Sequence, residues 1–256
     1  MEEENERRRM KMKKERYFKV LDENGKSYRS DNNITWSLPT NNNDGTWTPG
    51  EWMPDVKGEL VLGVNGYHVV TQSQLVQWLG PRIFEVEVGP EVICDKNKSV
   101  ARTCRLLREY TNWNEKVARL FACDCAERVL HIFEWAFPGE DAPRRAIEIA
   151  RRYVNGKPTH EELYELYTVQ KEIEYIEIHI PNEIPHAFAG YTDAVWAAAR
   201  AAEGTVIYME WGDKMCDLIT ATASYAIRAI KIAGGNYLAS AEADWQARHL
   251  LKMLEG

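Results

Sequence analysis

Arg82-Ile83-Phe84-Glu85-Val86-Glu87-Val88 and, further on, Phe121-Ala122-Cys123-Asp124-Cys125-Ala126-Glu127-Arg128-Val129 decide the fold, because the period changes between them. In the first, Phe84, Val86 and Val88 face one way and Ile83, Glu85 and Glu87 the other, the alternation of a strand. In the second, Ala118, Phe121, Cys125, Val129, Ile132 and Phe133 form the stripe of an amphipathic helix. The change falls near Thr111. It predicts the α+β class: an antiparallel β-rich domain over 17–110, then an all-α helical bundle over 111–256.

Toward the N-terminus, Tyr17-Phe18-Lys19-Val20-Leu21 reads as a short strand closed by Asp22-Glu23-Asn24-Gly25, where Asn-Gly supplies positive φ. Asn41-Asn42-Asn43-Asp44-Gly45 is a loop, since such side chains satisfy their own backbone. Leu60-Val61-Leu62, Gly63-Val64-Asn65-Gly66 and Tyr67-His68-Val69-Val70 read as strand, turn and strand. Thr71 caps a short helix over 72–79, ended by Gly80-Pro81. Periodicity does not decide whether 98–110 is a strand or a bridging segment.

Toward the C-terminus, Asn112 with Glu115 forms a capping box opening a helix to about residue 136, stopped by Pro138-Gly139. Asp141 caps the next, with Pro143 in its first turn and Gly156-Lys157-Pro158 at its end. Thr159-His160-Glu161-Glu162 is a second capping box, for a helix to residue 174 or beyond. The run 180–185, with Pro181 and Pro185, is a rigid break. Ala-rich helices over 187–202 and 205–233, and a last one over 236–254 after Gly234-Gly235, complete a bundle of five or six helices. They pack on one another or across a homo-oligomer interface.

The 256 residues are 45% hydrophobic and 28% charged, which excludes a disordered chain. No apolar run nears the roughly 20 residues that cross a bilayer. Residues 1–16 hold seven basic and five acidic groups, with no apolar stretch resembling a secretory signal. With five cysteines, an odd number, a cytoplasmic protein is expected. The net charge of −7 argues against a nucleic-acid coat and is unevenly spread. Residues 17–110 carry 10 basic and 12 acidic groups, residues 111–256 carry 15 and 22. The bundle is the acidic part; the tail reads as a solvated charged segment.

Motifs for chemistry are sparse. His160-Glu161-Glu162-Leu163-Tyr164 begins like a zinc-protease helix, but Tyr164 stands where the second His belongs. Cys123 and Cys125 lie about 200° apart around a helix and cannot share an ion. His179 and His186 flank the Pro-rich break without a supporting carboxylate or thiol pattern. No metal and no cofactor are expected. A Gly-x-Ser-x-Gly elbow and a Walker loop are both lacking. Glu85 and Glu87, on one face of a strand, are the best acid/base pair, and His68 beside a Gly-bearing turn is the matching imidazole. Trp36, Trp47, Trp52 and Trp78 sit in or beside polar loops, as rings lining a recognition groove do. In the bundle, Asp124 with Arg128, Arg144 with Glu148 and Glu148 with Arg152 have the spacing of helix ion pairs. Asp124 also borders the apolar stripe, so it needs Arg partners from a neighbouring helix.

Residues 121–130, then Phe133-Glu134, Pro143-Arg144, Ala146-Ile147-Glu148 and Ala150-Arg151, together with the Trp245-Gln246-Ala247-Arg248 ending, resemble an immunity-protein helical family. That family is linked to bacterial polymorphic toxin systems, with related domains in phage and metagenomic proteins. The resemblance spans about 110–256 and implies binding and neutralising a toxin. The first domain resembles a phage and bacterial domain of unknown function, through Gly66-Tyr67-His68, the helix at 72–79 and Glu85-Val86-Glu87. Relatives of that domain carry Cys two positions after the His, where this chain has Val70.

The leading expectation is a non-enzymatic, phage-associated cytoplasmic protein acting on a protein partner in toxin or defence biology, its acidic bundle meeting a basic surface. The second is a small-ligand binder, a sponge for a nucleotide signal, with Trp36, Trp47, Trp52 and Tyr67 as its rings and Arg82 or Arg102 as phosphate partners. The third is an enzyme using His68 with Glu85 or Glu87.

Overall fold

The computed structural model describes residues 15–27, 34–154, 159–179 and 213–256. Two compact units share the chain, residues 1–111 and 112–256. The class is α+β, an antiparallel sheet region followed by helices.

In the first unit, β1 (Tyr17–Leu21), β4 (Tyr67–Thr71), β5 (Arg82–Val88), β6 (Val92–Cys94), β7 (Ser99–Ala101) and β8 (Cys104–Glu109) form a six-stranded sheet. Its order is β6-β7-β4-β1-β5-β8, antiparallel at every pair. The segment left open by periodicity is thus two strands, β7 and β8. A separate two-stranded ribbon, β2 (Thr40–Asn41) and β3 (Trp47–Thr48), interrupts the long β1–β4 connection. Beyond it the chain runs beside β8: Gly50, Met53 and Val56 donate their N–H groups to the Leu106, Cys104 and Arg102 carbonyls at 2.9, 2.9 and 3.0 Å. This satisfies the outer edge of the sheet, which would otherwise offer unpaired groups to another chain.

Alternation sorts the strands as expected. Tyr17, Leu21, Trp36, Tyr67, Val69, Phe84, Val86 and Leu106 form one buried cluster. α1 (Gln72–Leu75) and the 3-10 turn after it (Val76–Trp78) pack on the sheet, burying Leu75 and Val76. Leu60-Val61-Leu62 is not the expected strand. Only a Val61–Asn65 bridge forms, because the tight turn reverses the chain before a ladder can grow. At its end Gly66 has φ 123°, and a Cβ there would stand 2.3 Å from Val100. Only glycine allows this approach to β7.

In the second unit, α2 (Glu115–Ala136), α3 (Ala142–Tyr153), α4 (His160–His179) and α5 (Asp213–Glu255) are the helices among the described residues. α2 packs along α5 and against α3, and α3 packs on α4. The cap of α2 is Asn114, whose Oδ1 accepts from the Val117 N–H at 3.1 Å, rather than the expected Asn112. Asn112 instead donates to the Leu254 carbonyl at the end of α5, 3.3 Å away. Asp141 precedes α3 as expected, but its carboxylate accepts from Arg145 at 2.8 Å and makes no cap bond. The stripe on α2 is buried at Ala118, Phe121, Cys125, Val129 and Phe133, and the Gly-Gly break in α5 falls at Gly235, with φ 80°. Most of the charged tail, the ends expected at Gly156-Lys157-Pro158 and Ile180 to Pro185, His186, the 187–202 helix and the start of the 205–233 helix lie outside the described residues.

Candidate functional site

The expected acid/base group does not assemble. Glu85 and Glu87 lie on β5, separated from His68 on β4 by the intervening β1. Across the β5–β8 register Glu85 faces Arg108 and Glu87 faces Arg105. Glu85 accepts from Arg108 Nε at 2.8 Å, from Arg16 Nε at 3.2 Å and from the Tyr110 hydroxyl at 3.0 Å. Burial works against its charge, yet the bonds from Arg108 and Arg16 prevail and hold the carboxyl below its ordinary range. Glu87 accepts from Arg105 Nε at 2.7 Å. These are opposite charges ordered across two strands, a sheet-stabilising ladder.

The two expected phosphate partners are also engaged. Arg82 binds Glu109 through two bonds of 2.7 and 2.6 Å, and Arg102 binds Glu91 through two of 2.5 and 2.6 Å. Arg102 further donates to the Val56 and Gly58 carbonyls. Both are spoken for by carboxylates of their own unit. The tryptophans divide. Trp47 belongs to the β2–β3 ribbon, and Trp52, exposed, lies under the Arg105 guanidinium at 5.0 Å. Trp36 is buried, with Nε1 donating to Ser27 Oγ at 3.0 Å and its ring edge-on to Tyr67.

Trp36, Tyr67, His68 and Trp78 instead line a cavity of about 180 Å³. It opens where β1 and β4 part. They pair only at Tyr17–Thr71 and Phe18–Val70, while β1 pairs with β5 along all five residues. Lys19 stands in the opening, 8% exposed. Its ammonium donates to the His68 carbonyl at 3.0 Å and lies 4.9 Å from the centre of the Trp36 ring. No carboxylate among the described residues pairs with it, and burial lowers its pKa to about 8. Lys98 holds its ammonium 5.7 Å from the Trp78 ring centre. His68 Nε2 accepts the Gly63 N–H at 2.6 Å, so the ring is neutral with its proton on Nδ1. Burial first, then Lys98 and Lys19, lowers its pKa to about 4.

The sequence reading singled out Trp36, Tyr67, His68 and Trp78 but not the two lysines. The available signal was Lys19 itself, a cation at the centre of the otherwise apolar Tyr17-Phe18-Lys19-Val20-Leu21.

In the helical unit Asp124, Arg128, Arg144 and Arg152 find their partners on other helices, not along their own. Asp124 accepts from Arg151 of α3 at 2.7 Å and meets His249 Nε2 of α5 at 2.6 Å, rather than Arg128. Arg128 binds Glu242 of α5 at 2.8 Å and lies 3.9 Å from the Trp245 ring centre. Trp245 stacks on His249 at 4.6 Å. Arg144 binds Glu134 and Arg152 binds Glu165, leaving Glu148 exposed and outside the network. Neighbour-helix Arg support for Asp124 is therefore present, through Arg151. Cys123 and Cys125 are buried thiols, the first pushed up to about 12 and the second well above its ordinary value by burial. Such thiols do not act as nucleophiles at neutral pH.

α4 carries three exposed tyrosines, where α2 exposes Trp135 and α5 exposes Tyr237. Tyr164, Tyr167 and Tyr175 are 71%, 57% and 61% exposed, in a helix with six Glu and one Lys. Their spacing puts them along one side. Among the described residues no group of three or more His, Cys, Asp or Glu is placed to hold a metal, and no helix is long and apolar enough to cross a membrane.

Residues 108–167 match a family described as "Imm-5 like putative immunity protein". The match runs from the end of β8 through α2 and α3 into α4, past the exposed Tyr164 and Tyr167. No curated protein and no solved structure matches the chain.

Proposed function

We propose that this chain is a non-enzymatic binding protein that neutralises a toxin by direct contact through its helical unit. The observation that carries the reading is the immunity-protein match over 108–167, which takes in the whole of α2 and α3. The physical properties of that unit supply a mechanism. Ion pairs across α2, α3 and α5 tie the helices together, so the surface is organised before the partner arrives, which reduces the entropy lost on binding. α4 presents tyrosines, side chains that bury large area at low conformational cost, within an acidic helix. The partner surface that fits is basic, and complementary charge mainly speeds encounter. The expected setting is the bacterial cytoplasm, on the bacterial or the phage side of toxin biology; the four buried free thiols suit reducing surroundings.

The test is size-exclusion chromatography of the full chain with each protein encoded by the genes adjacent to its own. A stable complex, weakened about tenfold by Tyr164→Ala with Tyr167→Ala, is expected. Separate elution at micromolar concentration contradicts the reading.

A further inference from the structure

The cavity between β1 and β4 plays no part in the toxin-binding mechanism, and its chemistry is specific. A buried ammonium is ordinarily matched by a carboxylate, because taking an unpaired charge out of water is costly. Lys19 has a carbonyl and an aromatic face instead. Lys98 lines the same cavity as Lys19 and His68. The described residues that line the cavity include no Asp or Glu. The tautomer of His68 leaves Nδ1–H as its remaining donor. The polar part of the cavity therefore offers donors and positive charge, which repels metal ions and suits an oxyanion.

The rest is apolar. Ile34, Val64, Val70 and Trp36 line it. An apolar cavity of about 150 Å³ accepts benzene, so one of about 180 Å³ holds a single ring with a small substituent. Parting two strands at the centre of a sheet costs backbone hydrogen bonds, and here the ammonium of Lys19 takes a carbonyl that the parted ladder leaves without its strand partner.

We propose that this cavity is a binding site for a small aromatic oxyanion, a single flat ring carrying a phosphate or carboxylate. Lys19 and Lys98 meet the anionic group, and Trp36, Ile34 and Val64 enclose the ring. Such a ligand supplies a counter-charge that no described carboxylate gives Lys19, and so stabilises the opening between β1 and β4. The site is independent of the helical unit's partner.

Isothermal titration calorimetry of the full chain at neutral pH, with phenyl phosphate, benzoate, phenol and inorganic phosphate as probes, tests it. Saturable binding of phenyl phosphate or benzoate is expected, with phenol and inorganic phosphate each about tenfold weaker. The tighter of the two anions identifies the headgroup. Lys19→Met and Lys98→Met should each weaken that anion about tenfold. Lys98 is only partly buried, so its variant keeps the test valid if Lys19→Met does not fold. No binding of either aromatic anion up to about 10 mM overturns the proposal. So does phenol or inorganic phosphate binding as tightly as the anions, or unchanged affinity in Lys98→Met.

Discussion

The two units treat buried charge in opposite ways. In the helical unit, Asp124 has both Arg151 and His249, and Glu242, 3% exposed, has Arg128. In the sheet unit, Lys19 is also buried but, among the described residues, meets the His68 carbonyl and the Trp36 ring and no carboxylate. A carboxylate closed by its own fold holds helices in place. An ammonium with no carboxylate among the described residues is suited to a counter-charge from elsewhere. Buried charge thus distinguishes architecture from recognition here more clearly than any sequence motif does.

Breaking the closed network should have the largest effect. Arg128→Ala strands the Glu242 carboxylate and removes the cation over Trp245. Urea unfolding should register a loss of about 3 kcal/mol, toward the low end for a broken buried pair because Arg128 is partly solvated. An unchanged midpoint would make the network incidental to the fold.

The open charge should reveal itself through pH. Lys19 titrates near 8 in the folded chain, against 10.5 ordinarily. Between these values the unfolded chain binds the extra proton, so stability rises with pH. Relative to Lys19→Met, the native chain should gain on the order of 2–3 kcal/mol between pH 8 and 10.5, measured by denaturant titration at several pH values. A flat difference would mean that the ammonium is not buried in solution.

His68 sharpens the same contrast at acid pH. Its folded pKa of about 4 lies below the ordinary 6.5, so its stabilising contribution is complete above pH 6.5 and disappears as pH falls to 4. Thermal melts across that range should show a slope that His68→Gln flattens, since Gln can still accept the Gly63 N–H. The smallest effect belongs to the sheet ladder. Glu85→Gln should cost about 0.5–1 kcal/mol in urea, because its partners Arg16 and Arg108 remain partly solvated.

Much of the fold was legible in residue order. The alternation in Arg82–Val88 and the stripe from Ala118 to Phe133 carried the class, because each is the record of one face being dry. What escaped was decided by partners distant in sequence. Asn112 fits a capping box by spacing, but the end of α5 claims its side chain and Asn114 caps instead. Asp124 and Arg128 have helix-pair spacing, but Arg151, His249 and Glu242 lie on other helices and outcompete them. The same holds for the candidate site. Rings and His68 were conspicuous by type, whereas Arg82 and Arg102 looked available only because Glu109 and Glu91 lie far from them along the chain. Lys19 carried a local signal, a charge amid apolar neighbours, whose meaning depends on the parting of β1 and β4.

The central claim is that toxin neutralisation resides in the helical unit. It is tested most directly by growth of cells expressing any toxic product of an adjacent gene together with the full chain, the Tyr164→Ala and Tyr167→Ala double variant, or Lys19→Met. The account predicts protection by the full chain and by Lys19→Met, and its loss in the tyrosine variant. Full protection by the tyrosine variant with loss in Lys19→Met, or no protection by the full chain, would contradict it.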